Sequence, residues 1–173
     1  MHCRAFTLFE LLITLAVLAA GLSTAVLASR DFSERRLWAS SASTLMRGLE
    51  FARAHALLAR RTVTMCASAD GERCGGGDFL SGWIVFAEPP AAANSKRDNN
   101  EHIILAQPAL AGRLRLAGGL TRRVRFLPNG RASYAGRVVL CHKTETHRRF
   151  AAIISPGGLV RRGDKGEADA CAA

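Results

Sequence analysis

Ala5-Phe6-Thr7-Leu8-Phe9-Glu10-Leu11-Leu12-Ile13-Thr14-Leu15 places a single carboxylate, Glu10, at the head of a run that carries no charge from Leu11 to Ser29. At ~1.5 Å per helical residue that run reaches ~28 Å, about the thickness of a bilayer core. Arg4 precedes it, so the excess of positive charge sets the N-terminus in the cytoplasm and exports the rest. A removable secretory signal, cut near Val26-Leu27-Ala28, is the competing reading. Two features favour a helix that stays. Glu10 carries a cost of roughly 2.5–3.5 kcal/mol at membrane depth, which calls for a purpose. The helical pattern also continues past Ala28.

A cut after Ala5 supplies the purpose. Phe6 then bears a free ammonium, and Glu10 lies about one helical turn away. A carboxylate in the first turn complements the helix dipole. It also neutralises an ammonium on its own chain or on a neighbour, so its burial cost disappears when such helices pack side by side. Phe6 to Leu15 resembles the class III signal of type IV pilins and pseudopilins. The resemblance implies that a prepilin peptidase cuts between Ala5 and Phe6 and methylates the Phe6 amine. It also implies that Glu10 guides subunits into a filament. The residue before the cut is usually Gly in that family; here it is Ala5.

From Phe32 to Ala59 there is no Pro and only Gly48. Trp38, Ala42, Leu45, Leu49, Ala52 and Ala56 recur in steps of four and three, the stripe of an amphipathic helix with a buried face. Arg35, Arg36, Arg47, Arg53, Arg60 and Arg61 project away from it. After Arg61 the pattern changes to short β-branched runs: 62–66, 82–86, 102–106, 114–116, 124–127, 138–141, 150–154 and 159–162. Gly118-Gly119, Pro128-Asn129-Gly130 and Pro156-Gly157-Gly158 mark turns between them. The expected fold class is α+β, a helix followed by antiparallel sheets. The expected division is a leader over 1–5, a transmembrane helix over 6–29, its amphipathic continuation over 30–59 and a β-rich periplasmic head over 60–173.

Five cysteines are present, an awkward number for an exported protein. If Cys3 leaves with the leader, Cys66, Cys74, Cys141 and Cys171 remain, and three pairings are open. Cys66 and Cys74 flank a short hairpin, which favours their pairing and leaves Cys141 to tether the tail through Cys171. The spacing is not that of a zinc site, and His142 and His147 beside Cys141 do not change this. No nucleophile elbow, phosphate loop or HExxH motif occurs, so the expectation is a protein without cofactor, metal or catalysis.

Several head motifs stand in a recognisable order: Arg53-Ala54-His55-Ala56, Val63-Thr64-Met65-Cys66, Gly82-Trp83-Ile84-Val85-Phe86, Phe126-Leu127-Pro128-Asn129-Gly130-Arg131, Leu140-Cys141 and Ile154-Ser155-Pro156-Gly157-Gly158. Their order and spacing resemble the FimT/GspH family of minor pilins and pseudopilins. The resemblance implies a long helix packed on two antiparallel β-sheets. It implies a low-abundance subunit near the tip of a type IV pilus or a type II secretion pseudopilus, in the bacterial inner membrane before assembly. Its partners are then other pilins or pseudopilins, the prepilin peptidase and the membrane.

The two branches of that family differ. The FimT branch aids DNA uptake in transformation and binds DNA through a C-terminal Gly-Arg-x-Arg loop. The GspH branch contacts other pseudopilins of a secretion machine. Gly158-Leu159-Val160-Arg161-Arg162-Gly163 matches that loop at Gly158 and Arg161, has Leu159 where Arg is expected, and adds Arg162. The net charge of +10 supports a polyanionic partner. From Ala111 onward there are 13 Lys and Arg against 4 Asp and Glu. Arg122, Arg123 and Arg125 form one expected cluster, and Arg148, Arg149, Arg161, Arg162 and Lys165 another. Such groups bind phosphates of double-stranded DNA without reading bases. The alternative is a solvated charged surface, or contact with the acidic flank of a neighbouring subunit.

Overall fold

The computed structural model describes residues 8–89, 102–145, 147–164 and 166–172, with side chains described outside 20–31 and 172. Ala5, Phe6 and Lys165 lie outside the described residues. Helix α1 spans Leu8–Ala59. By internal contacts the chain divides into Met1–Leu37 and Trp38–Ala173.

In the first unit, Leu8, Phe9, Leu11, Leu12, Ile13, Leu15, Val17 and Leu18 are exposed, and Glu10 is the acid of the first helical turn. The Thr14 hydroxyl donates to the Leu11 carbonyl at 2.8 Å, which keeps this polar side chain satisfied within the helix. Arg36 stacks over the Phe32 ring at 4.4 Å. Among the described residues no helix is long and apolar enough to cross a membrane. The second part of the Leu11–Ser29 run lies among the side chains not described.

In the second unit α1 ends where Arg60 adopts a left-handed conformation, φ 50°, which turns the chain out of the helix. Strands β1 (Val63–Ala67), β2 (Gly82–Ala87), β3 (Ile103–Pro108) and β5 (Arg123–Phe126) form one sheet in the order β3-β2-β1-β5. Strands β4 (Leu114–Ala117), β6 (Gly136–His142), β7 (Arg149–Ile154) and β8 (Val160–Arg162) form the other in the order β4-β6-β7-β8. All neighbours are antiparallel. The α+β arrangement is therefore the expected one, and each expected strand is present within a residue or two. Two short 3-10 helices, Phe79–Ser81 and Gly166–Ala172, are additional.

The helical stripe meets both sheets in one core. Leu45, Leu49, Ala52 and Ala56 are fully buried with Met65, Val85 and Phe126 of the first sheet and Val138, Leu140 and Ile154 of the second. Burying each large apolar side chain contributes about 1.5–3 kcal/mol. Gly48 explains one helical position: a Cβ there would stand 3.0 Å from the Trp83 indole, so the small residue lets the indole lie against the helix. The two turns that follow β5 and β7 also interlock. A Cβ on Gly158 would come within 1.8 Å of the Gly130 carbonyl oxygen, and Gly158 has a φ of +78°. Arg53 of α1 donates from Nε to the same Gly130 carbonyl at 3.3 Å. The motifs around Arg53, Gly130 and Gly158 thus join the end of the helix to both sheets.

Candidate nucleic-acid interface

Strand alternation sorts the arginines of the second sheet. Val138, Leu140, Phe150, Ala152, Ile154 and Val160 point into the main core. Arg137, Arg149 and Arg161 therefore occupy the opposite face. The register aligns them. Arg115 pairs with Cys141 and Cys141 with Arg149; Arg137 pairs with Ile153 and Ile153 with Arg161. Each strand of this sheet thus contributes one arginine to two cross-strand rows; Val139 and Ala151 form a small apolar strip between the rows, which Ile153 extends into the second row.

The chain's own C-terminal turn, Gly166–Ala172, lies on this face. Ala168 and Cys171 are buried against the apolar strip, and Cys171 is bonded to Cys141. The acids of the turn reach the arginines. Arg161 grips Glu167 with a two-pronged contact, Nη1 to Oε2 at 2.9 Å and Nη2 to Oε1 at 2.7 Å. Arg137 Nη1 donates to the Glu167 carbonyl at 3.1 Å. Arg149 pairs with Asp169, and Arg115 donates to the Cys171 carbonyl. The hydrogen bonds from Arg161, with a further one from the Asp164 amide, draw the Glu167 carboxyl down from 4.5 to about 2. The same Glu167 contact raises Arg161 above its ordinary value.

The second expected cluster is thus divided. Arg149 and Arg161 share a face. Arg162 pairs with Ala152 and lies 5.4 Å from the centre of the Phe150 ring, on the other side of the sheet edge. Arg148 is largely buried and bonds Glu145 through Nε at 2.8 Å, while His147 approaches the same carboxylate at 3.3 Å. The first cluster is divided as well. Arg125 pairs with the buried Glu88, whose other oxygen accepts from Thr64, whereas Arg122 and Arg123 are exposed. Cys66 is bonded to Cys74 on the outer face of the first sheet.

Residues 41–158 match the family described as type II transport protein GspH, over more than half of the chain. The chain belongs to the GspH family. Residues 1–26 match the prokaryotic N-terminal methylation motif, a stretch that contains Ala5, Phe6 and Glu10. No curated protein matches the chain. Solved structures similar to it include the type IV minor pilin FimU of Pseudomonas aeruginosa in two crystal forms. The first is 19% identical, with a TM-score of 0.62, over 81% of this chain and 98% of that one. The second is 18% identical, with a TM-score of 0.53, over 76% and 98%. The minor pseudopilin EpsH of Vibrio cholerae is 15% identical, with a TM-score of 0.49, over 73% and 95%. Membership of the GspH family agrees with the order of head motifs read from the sequence. Arg115 and Arg137 were not among the candidate residues. Their signal is the alternation of Arg with apolar residues in Leu114-Arg115-Leu116 and Arg137-Val138, which puts both on the face away from the core.

Proposed function

We propose that the chain is a minor subunit of a pilus-like filament, held in the inner membrane by residues 6–29 after the loss of 1–5, with its head in the periplasm. Glu10 carries this reading. It lies in the first turn of α1 among apolar side chains as exposed as Leu8 at 77% and Phe9 at 70%. A surface of that kind calls for lipid or a neighbouring helix. A carboxylate at this place suits the Phe6 ammonium, on its own chain or on a neighbouring subunit. The test is Glu10→Gln in the full chain. The processed protein should still begin at Phe6, while its incorporation into filaments falls about tenfold, the equivalent of about 1.4 kcal/mol. Unchanged incorporation would overturn the role of Glu10, and a mature N-terminus other than Phe6 would overturn the processing site.

The head adds weak, sequence-independent contact with duplex DNA, in the service of uptake. The row arrangement of Arg115, Arg137, Arg149 and Arg161 supports this. A second reading, a secretion pseudopilin that touches only other pseudopilins, is favoured by a specific observation: Arg148, Arg149 and Arg161 each already hold an acid of the same chain. Gene deletion scored for both transformation and protein secretion separates the two.

A further inference from the structure

The acids on the arginine rows are the chain's own, and they hold the positions a phosphate ligand needs. The fork of a guanidinium fits a carboxylate and a phosphate in the same two-pronged way. Glu167 on Arg161 has that geometry, and Asp169 stands on Arg149. The two rows are four residues apart along β6, from Arg137 to Cys141. That is ~13 Å of strand, close to the ~12 Å across a DNA major groove. Open depressions leave room beside the carboxylates. One of about 730 Å³ is lined by Arg149, Arg162 and Asp169, and one of about 500 Å³ by Arg137, Arg161 and Glu167.

We propose that Glu167 and Asp169 are built-in competitors for phosphate at Arg161 and Arg149, and that duplex DNA binds those two arginines by displacing the carboxylates, while Arg115 and Arg137 keep their bonds to the main chain of the turn. The proposal rests on the DNA-binding reading above and adds its regulation. The contacts to be exchanged are ones that solvent already reaches. The Arg161 and Glu167 side chains keep 47% and 34% of their exposure, and those of Arg149 and Asp169 keep 31% and 66%. The turn itself is held by a different kind of interaction, the Cys141–Cys171 bond and the buried Ala168. The acids can therefore swing off while the backbone that carries them stays in place. The turn also raises the effective concentration of carboxylate at the arginines, so weak, salt-sensitive phosphate contacts must compete with a ligand that never diffuses away.

The test uses the full chain in an uncharged detergent, with a fluorescently labelled duplex titrated at low salt. The expected result for Glu167→Gln with Asp169→Asn is binding about tenfold tighter than wild type, the gain for a face that is otherwise uncovered about a tenth of the time. The slope of log affinity against log salt should steepen by about 2, for two more phosphates neutralised. Adding Arg149→Gln and Arg161→Gln to that variant should abolish the gain. Cys141→Ser with Cys171→Ser frees the turn by an independent route and should shift affinity in the same direction, provided the melting curve shows a folded head. Equal binding by wild type and the acid variant would overturn the competitor role and leave the DNA reading standing. Absence of binding by both would overturn the DNA reading itself. A gain for vesicles containing anionic lipid without a gain for duplex would also overturn the proposal, by assigning the face to a membrane.

Discussion

The outer faces of the two sheets use the same parts to different ends. Each is covered by a segment tethered through a disulfide, Cys66–Cys74 on the first and Cys141–Cys171 on the second. Each pairs an arginine with a carboxylate, Arg125 with Glu88 and Arg161 with Glu167. On the first face Glu88 is 2% exposed and is enclosed between β1, β2 and β5. On the second, both partners of the Arg161 pair remain within reach of water. Burial therefore decides what an ion pair does. An enclosed pair cannot open without leaving a charge in a dry place, so it serves the fold. A wet pair opens at little cost, so it is available for exchange.

Removing the tethers should give the largest differences. The Cys141–Cys171 bond spans 30 residues and the Cys66–Cys74 bond spans 8. By chain entropy alone, breaking the first should cost roughly 3–4 kcal/mol and breaking the second roughly 2–3 kcal/mol. Denaturant unfolding of the two Cys→Ala pairs measures this. A smaller loss for the long loop would show that the C-terminal turn contributes little to the fold, which would sharpen the contrast by making that face wholly functional.

Glu88→Gln comes next. It removes the charge that Arg125 was buried to meet, and should destabilise the head by about 2–3 kcal/mol. That is less than the roughly 3–5 kcal/mol of a fully buried pair, because the Arg125 side chain keeps 23% of its exposure. Glu167→Gln, measured in the same denaturant series, should lower the unfolding midpoint by less than Glu88→Gln does, because both partners of its ion pair remain in reach of water. Equal effects at the two sites would break the comparison.

The contrast also explains how much could be read beforehand. The stripe from Ala42 to Ala56 and the β-branched runs are local patterns, and both lie where the periodicity puts them. The pairing of Cys66 with Cys74 follows from their nearness in sequence. What could not be read is register. Arg161 and Arg162 are adjacent in sequence and fall on opposite sides of a sheet edge. Arg115 and Arg149 are far apart in sequence and align through Cys141. The acids were invisible for the same reason. Glu145, Glu167 and Asp169 are ordinary surface residues until the turn and the sheet are brought together, and only then is the basic cluster seen to be largely occupied.

The finest test concerns how a carboxylate is held in each tethered segment. In the first, Asp70 is drawn from 3.8 to about 2, chiefly by the amides of Arg73 and Glu72 and then by the Ser68 hydroxyl. Its partners all lie within its own loop. In the second, Glu167 is drawn from 4.5 to about 2, chiefly by Arg161 on another strand. Both values are depressed by folding. The interactions are therefore fully present above the ordinary carboxylate range and are lost as the pH falls through about 2, so neither group changes charge near neutrality. Carboxyl-carbon NMR titration should find both near 2 in the native chain. Arg161→Gln should return Glu167 most of the way toward 4.5, short of it by the Asp164 amide, and leave Asp70 unmoved. If Glu167 stays near 2 in that variant, its own turn holds it just as the first loop holds Asp70. The arginine face would then be unoccupied by the chain, and the competitor would be only a neighbour.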